Sequence, residues 1–171
     1  TEPDVASSGS TNIECEIRRE GDEYVINGTK WWSSGAMNEH CKIAIVMGKT
    51  DVNAPKHLQQ SMILVPMNTP GVELVRNIPI MNHRSSEGHC ELVFRDVRVP
   101  ATALLGEEGS GFALAQARLG PGRIHHCMRS IGGAETMLSL MVERAGLRET
   151  LGKPIGQHDK IREYVALSRV E

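Results

Sequence analysis

The chain has 171 residues, 40% hydrophobic and 23% charged, enough to bury one sizeable core or two small ones. With 19 basic against 21 acidic residues the formal net charge is −2, and aromatics make up only 4%, so the sequence lacks both the cationic excess and the stacking platforms of a nucleic-acid binder. The longest apolar runs, such as Ile43 to Met47, fall far short of the roughly 20 residues of a membrane-spanning helix, and no transmembrane segment is expected.

Cys15, Cys41, Cys90 and Cys127 lie far apart, with no C-x-x-C pair and no ligand-like histidine spacing, so neither a disulfide framework nor a metal site is expected. Adjacent His125 and His126 point about 100° apart on a helix and cannot chelate one ion as an i, i+4 pair can. The opening Thr1-Glu2-Pro3 carries no leader pattern, and Glu171 falls inside a helical pattern, which reads as a piece of a longer polypeptide.

In chain order, Ile13, Cys15 and Ile17 alternate with polar neighbours, the period of a strand with one buried face. Tyr24-Val25-Ile26 runs into Asn27-Gly28, which predicts a tight hairpin, with Thr29 to Ser33 as the returning strand. Further short strands are predicted at Ile43 to Met47, Met62 to Val65, Val72 to Val75 and Glu91 to Phe94, with turns at Pro55, Asn68 to Gly71 and Glu87-Gly88. Beyond Val99-Pro100 the period changes. A glycine-rich loop at 106–111 leads to one helix around Phe112 to Leu119 and a second from about Arg123 to Leu147, with Met128, Ile131, Met137 and Met141 on an apolar face that predicts bundle core. Gly152-Lys153-Pro154 breaks the pattern before a third helix through Ile161, Val165 and Leu167. The expected fold class is α+β: a small antiparallel β-barrel or sandwich over 1–103, then the helices of an incomplete bundle over 104–171.

Nucleophile-elbow, Walker, H-E-x-x-H and G-x-G-x-x-G patterns are all missing. What remains is an ordered set of short motifs: Thr1-Glu2-Pro3 with Ala6-Ser7-Ser8; Asn27-Gly28-Thr29-Lys30-Trp31-Trp32-Ser33-Ser34; Met81-Asn82-His83-Arg84-Ser85-Ser86; Leu105-Gly106-Glu107-Glu108-Gly109-Ser110-Gly111-Phe112; Gly120-Pro121-Gly122-Arg123; and Arg148-Glu149-Thr150-Leu151-Gly152-Lys153-Pro154. In this order and spacing they resemble the acyl-CoA dehydrogenase family over nearly the whole chain, as its middle β-domain followed by the first helices of its C-terminal domain. The Trp-Trp-Ser-Ser run and the Gly-Pro-Gly-Arg-Ile-His-His run look most like the long-chain branch fused to a kinase-like domain.

The resemblance implies FAD as cofactor, held by Thr1, Ser7, Ser8, Trp32, Ser33 and Ser34, with Arg148 and Thr150 gripping the dinucleotide of a neighbouring subunit in a homo-oligomer. Oriented N–H and O–H donors suit a reduced flavin, which gains negative charge, and a planar guanidinium suits a pyrophosphate. Ser8, Ser86 and Arg123 are the implied contacts of an acyl-CoA substrate. Bland readings stand beside these: Trp31 and Trp32 as one core and one surface ring, Arg123 as a helix N-terminal residue in an intersubunit or interdomain salt bridge, and Arg148 with Glu149 as a solvated helix end. The implied reaction is α,β-dehydrogenation of an acyl-CoA thioester in fatty-acid oxidation, with an electron-transfer flavoprotein as electron acceptor and residence in a mitochondrion or peroxisome. Gly122 stands where some members carry the catalytic glutamate, and others carry it downstream, so the base is expected beyond Glu171. The rival reading is a non-catalytic binding or oligomerisation module, with its bare helix face driving self-association.

Overall fold

A computed structural model describes all residues, 1–171. The strands are β1 (Glu16–Glu20), β2 (Glu23–Ser34), β3 (Ile43–Lys49), β4 (Gln60–Pro66), β5 (Val72–Asn77), β6 (His89–Pro100) and β7 (Leu104–Leu105). After helix α1 (Gly111–Leu147) come the two-residue strands β8 (Glu149–Thr150) and β9 (Lys153–Pro154), then helix α2 (Asp159–Val170). The chain falls into two compact units, Thr1–Ala117 and Arg118–Glu171.

The first unit is one seven-stranded sheet in the order β5-β6-β2-β1-β3-β4-β7. The α+β class is borne out, but the ladder does not close into a barrel, and it is mixed rather than purely antiparallel because β1 and β3 pair in parallel at Glu16 and Lys49. The alternation read from the sequence is what builds the core. Cys15, Ile17, Tyr24, Ile26, Ile63, Val65, Leu92, Phe94, Val97 and Val99 are all buried in one cluster.

The Asn27-Gly28 hairpin is not there. The turn between β1 and β2 is Gly21-Asp22, closed by the Glu20–Glu23 pair, with Gly21 in the left-handed region at φ +61°. Asn27 and Gly28 lie inside the 12-residue β2. Asn27 instead uses its amide to hold a bulge on β6: its Nδ2 donates to Asp96 Oδ1 at 3.1 Å and its Oδ1 accepts from the Asp96 amide at 2.8 Å. Asp96 takes the positive φ of +48° there, as the bulged residue of an antiparallel pair does.

The sequence predicts one helix to Leu119 and a second from about Arg123, but α1 runs unbroken through Gly120-Pro121-Gly122. The backbone carbonyl that Pro121 cannot bond is that of Ala117, where the first compact unit ends. In the second unit the apolar face of α1 is open to solvent, with Ile124, Met128, Ile131 and Met137 all exposed, rather than the core predicted from its spacing. Such a face is that of a bundle helix without its partners. Leu151 and Gly152, both at positive φ, form the tight turn of the β8–β9 hairpin.

No disulfide forms, and the four cysteines differ sharply in setting. Burial pushes the Cys15 thiol up to about 11 and also raises Cys90, whereas Cys127 is exposed on α1. A thiol-alkylating reagent at neutral pH is therefore expected to modify Cys127 well before Cys15 or Cys90, as followed by peptide mass spectrometry. Early labelling of Cys15 would contradict this packing.

Candidate flavin and thioester site

The centre of the candidate site is the last third of β2. Opposite β6, Lys30 pairs with Leu92 and Ser33 with Cys90, so three steps on β2 match two on β6 and one residue is extra. The excess is absorbed at Trp32, whose φ is +58°. For a bulky residue this is a strained conformation, worth of order 1–3 kcal/mol, that the surrounding ladder has to impose. The result is an indole presented at the surface: Trp32 is 42% exposed while Trp31 is half-buried, the two rings lying 6.0 Å apart and tilted by 55°. The bland expectation of one core and one surface ring holds only for the surface ring, since Trp31 is half-buried rather than in the core, and it does not account for the strained backbone.

Beside this bulge is a cleft of about 420 Å³, lined on its polar side by Thr1, Lys30, Ser33 and Ser34 and on its apolar side by residues including Ala44, Val46 and Phe94. Thr1 is fastened to the bulge in both directions. Its carbonyl accepts from the Trp31 amide at 3.0 Å, and its hydroxyl donates to the Trp31 carbonyl at 2.9 Å. Ser34 lies opposite His89 across the ladder, and their Oγ and Nδ1 are 2.8 Å apart.

Glu2 and Lys30, which lie inside the motifs but carry no role in the sequence reading, hold this segment in place. The Glu2 side chain is buried, and its carboxylate accepts from the Glu14 amide at 2.6 Å, the Cys15 amide at 3.1 Å and Lys30 Nζ at 2.6 Å. Burial opposes the charge on Glu2, but these three donors together outweigh it and hold the carboxyl below its ordinary value. Ser7 belongs to the same knot: its hydroxyl accepts from the Glu2 amide at 2.6 Å and donates to the Glu2 carbonyl at 3.0 Å. Ser8, next to it, is exposed.

Ser86 is exposed in the loop between β5 and β6, after the turn at Met81 and Asn82 whose φ values are +47° and +63°. Arg123, Arg148 and Thr150 belong to the second unit, and all three are exposed. Arg148 anchors the hairpin through its backbone, its amide donating to the Arg144 carbonyl at 2.9 Å and its own carbonyl accepting from Ile155 at 2.7 Å. Thr150 Oγ1 lies 3.4 Å from His158 Nε2. No cluster of residues could hold a metal ion, and no helix is long and apolar enough to cross a membrane.

Residues 1–97 match the acyl-CoA dehydrogenase middle domain, and residues 109–171 match the acyl-CoA dehydrogenase C-terminal domain. The chain belongs to the acyl-CoA dehydrogenase family. It is 57% identical over its whole length to probable acyl-CoA dehydrogenase FadE2 of Mycobacterium tuberculosis, of which it spans 42%. Over 99% of its length it is 54% identical to human acyl-CoA dehydrogenase family member 11, of which it spans 22%. Among solved structures, a putative acyl-CoA dehydrogenase from Mycobacterium abscessus superposes with a TM-score of 0.84 at 47% identity, covering 99% of this chain and 42% of that one. The chain thus spans less than half the length of the relatives it matches. The first match covers β1 to β5 and most of β6, with the Trp32 bulge, and the second covers the Arg148 hairpin.

Proposed function

We propose that this chain supplies the flavin-facing and thioester-facing part of an FAD-dependent acyl-CoA dehydrogenase acting in fatty-acid oxidation. The observation that carries the reading is the strained Trp32 bulge, which sets an exposed indole beside the cleft of Thr1, Ser33 and Ser34 in a chain of this family. An exposed aromatic face and convergent hydroxyl groups are the donor set that a flat, partly polar ring requires. When bound there, FAD supplies the acceptor for the two electrons that leave the β-carbon of the thioester.

The residues of the chain then divide by task. Trp32 gives the flavin ring a packing surface, and Thr1, Ser33 and Ser34 give it hydrogen-bonding groups. Ser7 holds the N-terminal segment through Glu2, which leaves exposed Ser8 as the hydroxyl of that segment free to meet flavin or substrate. Arg148 and Thr150 suit the pyrophosphate and adenine side of a dinucleotide, since an exposed guanidinium offers a planar fork. In a homo-oligomer that dinucleotide belongs to the neighbouring subunit. Ser86 and Arg123 are assigned to the pantetheine and nucleotide portion of the acyl-CoA.

None of the carboxylates of this chain is assigned as the base that removes the α-proton, a role placed beyond Glu171. The boundary between β-domain and helical domain is placed at 103/104, the electron acceptor is an electron-transfer flavoprotein, and the compartment is mitochondrial or peroxisomal. The exposed apolar face of α1 supports assembly with further helices, and equally favours the second reading of a non-catalytic oligomerisation module.

Anaerobic addition of acyl-CoA thioesters of graded chain length to the full-length flavoprotein separates the two. Bleaching of the visible flavin bands is expected, with the Arg123→Ala variant needing about tenfold more thioester as one charge-assisted hydrogen bond is lost. Unbleached flavin across the whole series would favour the non-catalytic module.

A further inference from the structure

The contact between Ser34 and His89 is the one cross-strand side-chain pair in which a cleft-lining hydroxyl meets a titratable ring. It joins residues 55 apart in sequence through the Ser34–His89 register of β2 and β6. A serine has no γ-methyl group to restrict χ1, so its hydroxyl has no intrinsic reason to point one way in an exposed site. His89, by contrast, is fixed. Its amide donates to Asn77 Oδ1 at 3.2 Å, its carbonyl accepts from the Ile78 amide at 2.8 Å, and its half-buried ring packs 6.4 Å from that of Trp32.

A hydroxyl carries a single proton, so the direction of this hydrogen bond decides what Ser34 offers the cleft. If Ser34 donates to an unprotonated Nδ1, only oxygen lone pairs face the ligand. If Nδ1–H donates to Ser34 Oγ, the Ser34 proton is left for an acceptor in the cleft. We propose that His89 is a positioning residue that holds Ser34 in the second state, so that the hydroxyl donates to an electron-rich ring atom of the bound cofactor. The inference rests on the flavin reading above, and extends it to a residue that never touches the flavin.

The test compares Ser34→Ala, His89→Leu, His89→Asn and the Ser34→Ala/His89→Leu double variant in the full-length protein loaded with FAD. The readouts are the visible spectrum of the bound flavin and its dissociation constant. The His89→Leu protein is expected to shift the spectrum in the same direction as Ser34→Ala and to weaken FAD by up to about tenfold, the loss of one hydrogen bond. The double variant should be no worse than Ser34→Ala, because each change removes the same interaction. His89→Asn places an amide donor near the Nδ1 position and is expected to restore the wild-type spectrum.

Three results would overturn the proposal. A His89→Leu protein with the wild-type spectrum, where Ser34→Ala is shifted, removes His89 while leaving the flavin reading intact. Additive losses in the double variant show that His89 acts through packing alone. A Ser34→Ala protein that binds FAD with unchanged affinity and spectrum removes both the inference and the placement of Ser34 at the flavin.

Discussion

Replacing Lys30 with methionine is expected to destabilise the β-unit by about 3 kcal/mol, because it leaves the Glu2 carboxylate buried without its cation. The Glu2 and Lys30 side chains are only 6% and 12% exposed, so water cannot replace the lost ammonium as it would at a surface pair. The loss should appear as a lower denaturant midpoint with an unchanged slope. Glu2→Gln is expected to be milder, since its carbonyl oxygen still accepts a backbone amide and no unpaired carboxylate remains. The pH dependence has a definite sign. Glu2 is held below its ordinary value of 4.5, so its contribution is present above that pH and is lost as the pH falls through the lower folded value. Lys30→Met should move this acid transition towards higher pH. Identical acid transitions in wild type and variant would show that the ion pair does not hold the N-terminal segment.

The second large effect is expected at Gly28. A Cβ built there would lie 2.8 Å from the Cys15 Cα and 2.9 Å from its Cβ, and the backbone φ is +151°, a region that side chains rarely enter. Backbone and side chain are thus both against any larger residue. Gly28→Ala is expected to cost about 3 kcal/mol by combining overpacking of 1–3 kcal/mol with backbone strain of similar size. Gly21 makes the comparison, since nothing lies within 4 Å of its would-be Cβ. Gly21→Ala carries only the penalty of its positive φ, so thermal unfolding of the two variants should place Gly28→Ala well below Gly21→Ala. The reverse order would mean that β2 turns at Asn27-Gly28 after all.

That pair of glycines also shows where sequence reading stops. Asn-Gly is a strong turn signal because both residues accept positive φ, but the property it reports is conformational permissiveness, not reversal. Here the glycine is required by close approach of Cys15, just before β1, and the asparagine by a bulge on β6, both contacts invisible to a local pattern. Strand alternation was legible because burial on one face writes a period of two into the chain, as Ile17, Tyr24 and Ile26 do. Helix α1 was legible in its apolar spacing but not in its continuity, because proline is costly in a helix without being prohibited.

Among the candidate residues, those carried by contiguous motifs were singled out in the sequence, Trp32, Ser34 and Arg148 among them. Those that act across the ladder were not. Glu2 stands in the opening motif without a role of its own, and His89 has no partner at local spacing, because its partner lies on another strand. A buried glutamate with a lysine 28 residues away leaves no periodic trace.

The most direct test of the account is a titration of this protein with FAD, followed by quenching of flavin fluorescence, with Trp32→Ala and Arg148→Ala beside the wild type. Stacking on an indole and a guanidinium contact to pyrophosphate are each worth about 1–3 kcal/mol, so saturable binding is expected that weakens by about tenfold or more in each variant. Binding that neither substitution weakens would contradict the assignment of the Trp32 bulge and the Arg148 hairpin to the flavin.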